Sequence, residues 1–83
     1  MRDVIAKVIS QEGTCSAGHR VGDEFIIGQI TPHGMCSWAF CTVFPFATVL
    51  QSGCSFPWEA EEGKTTVACP DPGSPVVFEL RRV

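Results

Sequence analysis

WAFCTVFPFATVLQ, residues 38–51, is the stretch that decides the fold of this 83-residue chain. It is uncharged and mostly apolar. Ser37 before it offers a hydroxyl N-cap and Ser52-Gly53 after it supplies a stop, so the stretch predicts a helix. Pro45 cannot donate the hydrogen bond that the Cys41 carbonyl would accept. The helix is therefore expected to be either kinked at Pro45 or split into two short helices.

Segments with the pattern of β-strands lie on both sides of this helix. Residues 2–10 alternate between two faces and residues 25–30 form an apolar run, while residues 64–69 and 75–83 predict two further strands. The Pro70-Asp71-Pro72-Gly73 turn between the last two predicts a hairpin. The order β-β-α-β-β, in a single domain spanning 1–83, predicts an α+β fold. The sheet is expected to be mostly antiparallel, because the only connection long enough for a crossover contains the helix.

The composition excludes several classes of protein. Apolar residues make up 45% of the chain and charged residues 18%, which is the balance of a folded domain and not of a disordered tail. The net charge is −3 and the six Lys and Arg residues are scattered, so no nucleic-acid partner is expected. The densest apolar part, residues 35–50, is shorter than the roughly 20 residues that cross a bilayer, so no membrane association is expected either.

No Asp, Glu, Lys or Arg occurs between Phe25 and Trp58. So small a monomer has little interior for this long uncharged segment, because chains of this size bury only about 60–65% of their surface. Part of the segment is therefore expected in a subunit interface, which predicts a homo-oligomer. The five cysteines are an odd number and the N-terminal residues lack the apolar run of a signal peptide. Both observations favour the cytoplasm, where thiols stay reduced.

Two cysteine and histidine pairs have the spacing of chelating ligands. Cys15 and His19 are four residues apart in a glycine-containing loop, and His33 and Cys36 are three apart in the next loop. Thiolate and imidazole are the donors of tetrahedral zinc sites, and Cys69 can supply another donor from the end of a strand. The leading prediction is a small metal-binding or thiol-redox accessory protein. Its metal ligands would be Cys15, His19, Cys36 and Cys69, holding zinc or another transition metal.

Cys36 is also a candidate nucleophile. It lies at the predicted helix start, where unpaired N–H groups and the positive end of the helix dipole stabilise a thiolate. His19 or His33 would then be the base of a Cys-His enzyme, although His33 is more simply explained as an ordinary loop histidine. A third hypothesis is a non-catalytic oligomeric interaction module whose cysteines are inert core residues, since free cysteine is among the most buried residue types.

Other conspicuous residues have simpler structural explanations. Cys41 and Cys54 lie in apolar surroundings and are predicted to belong to the core. Asp71 is predicted to accept a backbone hydrogen bond within its turn. The helical spacing of four aromatic residues predicts core packing and not a cofactor site: Trp38, Phe40, Phe44 and Phe46. The sequence contains no phosphate-binding loop, dinucleotide-binding glycine pattern or serine-nucleophile elbow.

Five segments that span nearly the whole chain form a recognisable set. They are Gly22-Asp23-Glu24-Phe25, Gly34-Met35-Cys36-Ser37-Trp38-Ala39-Phe40, Phe56-Pro57-Trp58, Cys69-Pro70-Asp71 and Pro75-Val76-Val77-Phe78-Glu79-Leu80. Together they resemble a family of small prokaryotic proteins of uncharacterised function. The resemblance implies no activity. It implies that Cys15, Cys36 and Cys69 are the common feature of the family. Where many members have a second cysteine next to the one at position 69, this chain has Ala68.

Overall fold

The computed structural model describes residues 2–15 and 17–83. Its strands are β1 (Val4–Gln11), β2 (Glu24–Ile27), β3 (Lys64–Ala68) and β4 (Val76–Arg82), and its helix α1 (Ser37–Gln51) lies between β2 and β3. The predicted β-β-α-β-β order and α+β class are confirmed. Within the described residues, no helix has both the length and the apolar character that crossing a membrane requires.

The four strands form one antiparallel sheet in the order β2-β1-β4-β3. The first and last strands of the chain are therefore central neighbours, with Ala6 opposite Leu80 and Val8 opposite Phe78. Strands β3 and β4 form the hairpin that the 70–73 turn predicts. Because β2 and β3 lie at opposite edges, α1 has to cross the sheet to connect them, and it packs on β1, β3 and β4.

The core lies between α1 and the sheet face that it covers. The helix buries residues three or four apart and the strands bury alternate residues, as the two periods require. The buried side chains of the helix include Ala39, Val43, Ala47 and Leu50, and those of the central strands include Val4, Ala6, Val8, Phe78 and Leu80. The other face of the sheet is open to solvent, and there Lys7 lies opposite Glu24 on one neighbouring strand and Glu79 on the other.

Helix α1 begins one residue earlier than the sequence predicts. Its N-cap is Cys36, with φ −58° and ψ 137°, and Ser37 is the first helical residue. The Cys36 side chain makes no capping hydrogen bond. Of the two predicted alternatives, the structure has a single helix that contains Pro45. Pro45 has no N–H to donate to the Cys41 carbonyl. Because Pro45 is exposed, water can donate to that carbonyl instead.

The expected burial of two aromatic residues and of Cys41 is wrong. Phe40 and Phe46 do pack partly buried against the core, but Trp38 is 66% exposed, Phe44 is 43% exposed and Cys41 is exposed. The reason is the rotation of about 100° per residue along a helix. Because Ala39 lies on the buried face, Cys41, two positions later, points about 200° away from that face.

The connection between α1 and β3 is fastened to the sheet by an arginine. Arg82 Nη1 on β4 donates to the carbonyls of Leu50 (3.1 Å) and Cys54 (2.7 Å). Phe56 is partly buried and stacks on Trp58 with ring centroids 4.7 Å apart, while Trp58 itself is 65% exposed. Cys54 is exposed, which contradicts its expected place in the core. Cys54 lies just after the last turn of α1. The hydrogen bond from Arg82 holds its carbonyl against the sheet, while its side chain is exposed.

Replacing Leu80 with Ala tests the position of the core. Leu80 is fully buried on the central strand β4, so its truncation is expected to lower the free energy of unfolding by about 2–5 kcal/mol. The control is Ile26→Ala on the edge strand β2, where the side chain is 61% exposed and the expected loss is below about 1 kcal/mol. Urea denaturation followed by tryptophan fluorescence measures both. Equal losses in the two variants would contradict this core.

Candidate functional site

Two loops are fastened together at one end of the sheet. The loop after β1 donates hydrogen bonds from the N–H of Glu12 to the Pro75 carbonyl (3.0 Å) and from the N–H of Thr14 to Ser74 Oγ (3.2 Å). Gly13 between them has φ +65°, and a Cβ at this position would lie 2.6 Å from Ser74 Oγ. Only glycine allows this approach. The two bonds hold Cys15, the next residue along the loop, beside the turn that precedes β4.

That turn fixes both a thiol and a carboxylate. The N–H of Cys69 donates to the Val76 carbonyl (2.8 Å), and the N–H of Val76 donates back to Cys69 Sγ (3.2 Å). Asp71 Oδ1 accepts the N–H groups of Gly73 (3.0 Å) and Ser74 (3.3 Å). The backbone hydrogen bond that the sequence predicts for Asp71 is therefore confirmed. The sulfur of Cys69 and the carboxylate of Asp71 are held by one short segment.

His19 joins the first loop to the start of α1. It is only 4% exposed, and its ring meets Phe25 and Phe78 edge-on, with centroids 5.0 and 6.1 Å away. His19 Nε2 accepts the N–H of Cys36 at 3.0 Å. A ring nitrogen that accepts a hydrogen bond carries no proton, so the proton of the neutral ring lies on Nδ1. The bond pairs one backbone donor at the helix N-terminus, where such donors lack helical partners.

These segments surround one cavity of about 410 Å³, which we call the thiol cavity. Its lining includes Cys15, His19, Cys36 and Cys69, so the structure brings together the four residues that the sequence predicts as a site. All three of these thiols are unpaired and partly buried. The other lining residues are Ala17, Ser37, Trp38, Ala39, Pro70, Asp71, Ser74 and Val76.

The candidate base His33 and the other two cysteines lie elsewhere. His33 is exposed in the segment before α1, and Cys41 and Cys54 are exposed as well; none of the three belongs to the described lining of the thiol cavity. Among residues 2–15 and 17–83, no group of three or more histidine, cysteine, aspartate or glutamate side chains is arranged to hold a metal ion. The lone pair of His19 Nε2 is occupied by the Cys36 N–H.

Two lining residues of the thiol cavity were missed by sequence reasoning. The sequence explains Asp71 by its turn alone and predicts Trp38 in the core, yet both line the cavity. Helical side chains lean towards the N-terminus and so lie over the preceding turn. This lean is a signal that could have placed Trp38 near the N-cap residue Cys36.

Comparison of the chain with family models, with curated proteins and with solved structures finds no match.

Replacing His19 with Phe tests its hydrogen bond to Cys36. Phenylalanine keeps an aromatic ring against Phe25 and Phe78 but removes the acceptor, which leaves the Cys36 N–H unpaired. The free energy of unfolding is expected to fall by about 1–3 kcal/mol. Amide hydrogen exchange measured by NMR should also become faster at Cys36 than at Phe40, whose N–H donates within the helix to the Cys36 carbonyl.

Unchanged exchange at Cys36 in the His19→Phe variant would contradict the bond. Equal acceleration at both amides would indicate general fraying of the helix and would equally count against a specific role for His19.

Proposed function

We propose that the protein is a small thiol-redox accessory protein that exchanges disulfide bonds with low-molecular-weight disulfides in the thiol cavity. One observation carries the proposal: the thiols of Cys15, Cys36 and Cys69, from three separate segments, line a single cavity of about 410 Å³. Cavities of roughly 300–1,000 Å³ are the size that small-molecule ligands occupy. A small disulfide that enters this cavity has all three cysteines in the surrounding walls.

Cys36 is the thiol proposed to react first. It is the N-cap of α1 and its side chain makes no capping bond, so its sulfur is not engaged by the helix that it begins. The N–H groups of the first turn lack helical acceptors, and the positive end of the helix dipole favours a negatively charged sulfur beside them. His19 fixes the backbone of Cys36 through its N–H. These features support an oriented nucleophile at the cavity wall.

The proposed reaction has two steps. The Cys36 thiolate attacks one sulfur of a disulfide R–S–S–R, which forms a Cys36–S–S–R bond and releases RS⁻; this thiolate takes up the proton that Cys36 lost. A thiolate at Cys69 or Cys15 then attacks the Cys36 sulfur, which forms an internal disulfide and releases the second RS⁻. The substrate gains two electrons and two protein thiols lose them, so one round needs no other oxidant or reductant.

Cys69 is the favoured second thiol. Its Sγ already accepts the Val76 N–H at 3.2 Å, and a hydrogen bond from a backbone donor is stronger when the acceptor is charged. Cys15 is held beside the same turn by the bonds of Glu12 and Thr14. Both positions support attack on a sulfur attached to Cys36.

Metal binding is the second candidate, because three thiols and an imidazole in one cavity wall are the donor types of a zinc site. Cys15, Cys36 and Cys69 would supply three sulfurs. For His19 to be the fourth ligand, either Nε2 would have to release the Cys36 N–H or Nδ1 would have to face the ion. A Cys36-nucleophile enzyme with a histidine base shares the first step of the exchange and differs in turning over many equivalents of substrate.

We further propose that the protein works in the cytoplasm as a homo-oligomer. All five cysteines are unpaired, and the proposed exchange needs thiols that a reducing compartment maintains. The exposed face of α1 carries Cys41 and Phe44 without any charged side chain, so an identical face can approach it without charge repulsion. A non-catalytic interaction module would use the same face while its cavity thiols stayed inert.

Disulfide exchange can be measured in a Cys41→Ser/Cys54→Ser parent, which removes the two exposed thiols and keeps the three in the cavity. Reduced parent is mixed with 2-hydroxyethyl disulfide, and released thiol and protein adducts are followed by mass spectrometry. The parent is expected to release two equivalents of thiol per chain. A further Cys36→Ser change is expected to slow release by at least about tenfold, because it removes the attacking sulfur.

The Cys69→Ser and Cys15→Ser changes in the same parent identify the second thiol. Replacement of the cysteine that supplies the second thiol should make the adduct on Cys36 persist at least about tenfold longer, because no neighbouring sulfur then displaces the small thiol from Cys36. Adducts that form at equal rates on all three thiols would contradict the proposal. A lack of any adduct, together with stoichiometric metal in protein purified without chelator, would support the metal-binding candidate instead.

A further inference from the structure

The described lining of the thiol cavity carries a negative charge and no lysine or arginine. Asp71 is the only carboxylate in the described lining, and neither Lys nor Arg contributes to it. The ion pairs found in the described part of the chain join Lys64 and Arg81 to glutamates and do not include Asp71. A ligand in the cavity therefore meets a carboxylate that forms no ion pair with the described lysine and arginine side chains.

The Asp71 carboxylate is held in place by its own turn. Oδ1 accepts the N–H groups of Gly73 and Ser74, while within residues 2–15 and 17–83 no protein donor reaches Oδ2. One oxygen therefore serves the fold and the other is available to a ligand. An asparagine at position 71 can still accept these N–H groups at Oδ1, but it carries no charge. The substitution therefore separates the structural role of Asp71 from its electrostatic effect on a ligand.

An aromatic side chain lines the same cavity. Trp38 contributes to the lining and remains 66% exposed, so its indole is accessible to a ligand at the cavity mouth. The face of an indole attracts a positively charged group through the ring quadrupole. The net charge of −3 on the chain adds a weak long-range attraction of the same kind. Carboxylate, indole and net charge all favour a cationic ligand and oppose an anionic one.

We propose that the thiol cavity selects disulfides of aminothiols, which carry ammonium groups, over disulfides that carry carboxylates. This inference rests on the proposed exchange at Cys36 and names its substrate class. The ammonium group would lie between Asp71 and the indole of Trp38 while Cys36 attacks the disulfide. The S–S bond of the ligand breaks, a Cys36–S–S–R bond forms, and the departing aminothiolate takes up the proton released by Cys36.

The test compares three disulfides of different charge on the Cys41→Ser/Cys54→Ser parent at low ionic strength: cystamine (cationic), 2-hydroxyethyl disulfide (neutral) and glutathione disulfide (anionic). The rate of adduct formation at Cys36 is measured before and after an added Asp71→Asn change. The ratio of the two rates for each reagent cancels its intrinsic reactivity. Asp71→Asn is expected to slow cystamine by about three- to tenfold, to leave the neutral disulfide within about twofold and to speed glutathione disulfide.

Two additional measurements sharpen the test. The cystamine effect should fall below about twofold in 1 M salt, because the Debye length there is about 3 Å. Trp38→Leu should slow cystamine by about two- to fivefold relative to the neutral disulfide. The matched control is Glu62→Gln, which removes an exposed carboxylate in the connection before β3. It is expected to leave all three rates within about 1.5-fold, as a distant screened charge should.

The outcomes separate this inference from the exchange on which it rests. If all three disulfides react at Cys36 but Asp71→Asn changes their rates by one common factor, the selectivity is refuted and the exchange stands. If Glu62→Gln reproduces the Asp71→Asn pattern, net charge and not the cavity carboxylate explains it, which also overturns the inference. If none of the three reacts at Cys36, the proposed exchange itself fails.

Discussion

The hydrogen bond from the Cys36 N–H to His19 Nε2 is the interaction on which the site depends. It joins the loop after β1 to the N-cap of α1, and its acceptor is buried against Phe25 and Phe78 in the core. Because His19 is only 4% exposed, water cannot readily replace it as the acceptor, and loss of the bond would leave a donor unpaired. The position of Cys36 in the thiol cavity is thus set by the packing of the core.

The topology explains why three distant segments meet. Strands β1 and β4 are central neighbours, so the loop that leaves β1 and the turn that enters β4 lie at the same end of the sheet. The bonds from Glu12 and Thr14 to that turn close the gap between them. Helix α1 starts at this end because His19 Nε2 accepts the N–H of its N-cap residue, Cys36. Cys15, Cys69 and Cys36 occupy these three positions, and the cavity between them follows from the order of the strands.

Much of the fold could be predicted from the sequence, because the spacing of apolar residues and the residues of tight turns are visible within short segments. Alternation of apolar and polar residues in 2–10 and 75–83 indicates two strands. The 70–73 turn indicates that residues 75–83 form a hairpin with the strand before the turn. The sequence places the helix N-cap one residue too late, because the side chain that accepts the N–H at the helix start is His19, which lies 17 residues earlier in the chain. The sequence also predicts Trp38 in the core, because aromatic character indicates burial, whereas its position around the helix axis exposes it.

The candidate site was predictable in its residues and less so in its chemistry. Spacing and a family resemblance indicate Cys15, Cys36 and Cys69, but only the folded chain shows that they line one cavity. The roles of Asp71 and Trp38 in the lining depend on the distance between the turn and the helix start, which only the folded chain defines. His19, predicted as a metal ligand, is seen to hold the backbone of Cys36, and its role towards a metal stays a prediction.

The central claim is that the three cavity thiols can react with one another, and disulfide mapping tests it most directly. The Cys41→Ser/Cys54→Ser variant is oxidised with one equivalent of a small disulfide, digested, and its bridged peptides are identified by mass spectrometry. The account predicts one bridge, formed within a single chain, that joins Cys36 to Cys69 or to Cys15. Three thiols that remain free, or bridges found only between chains, would contradict it.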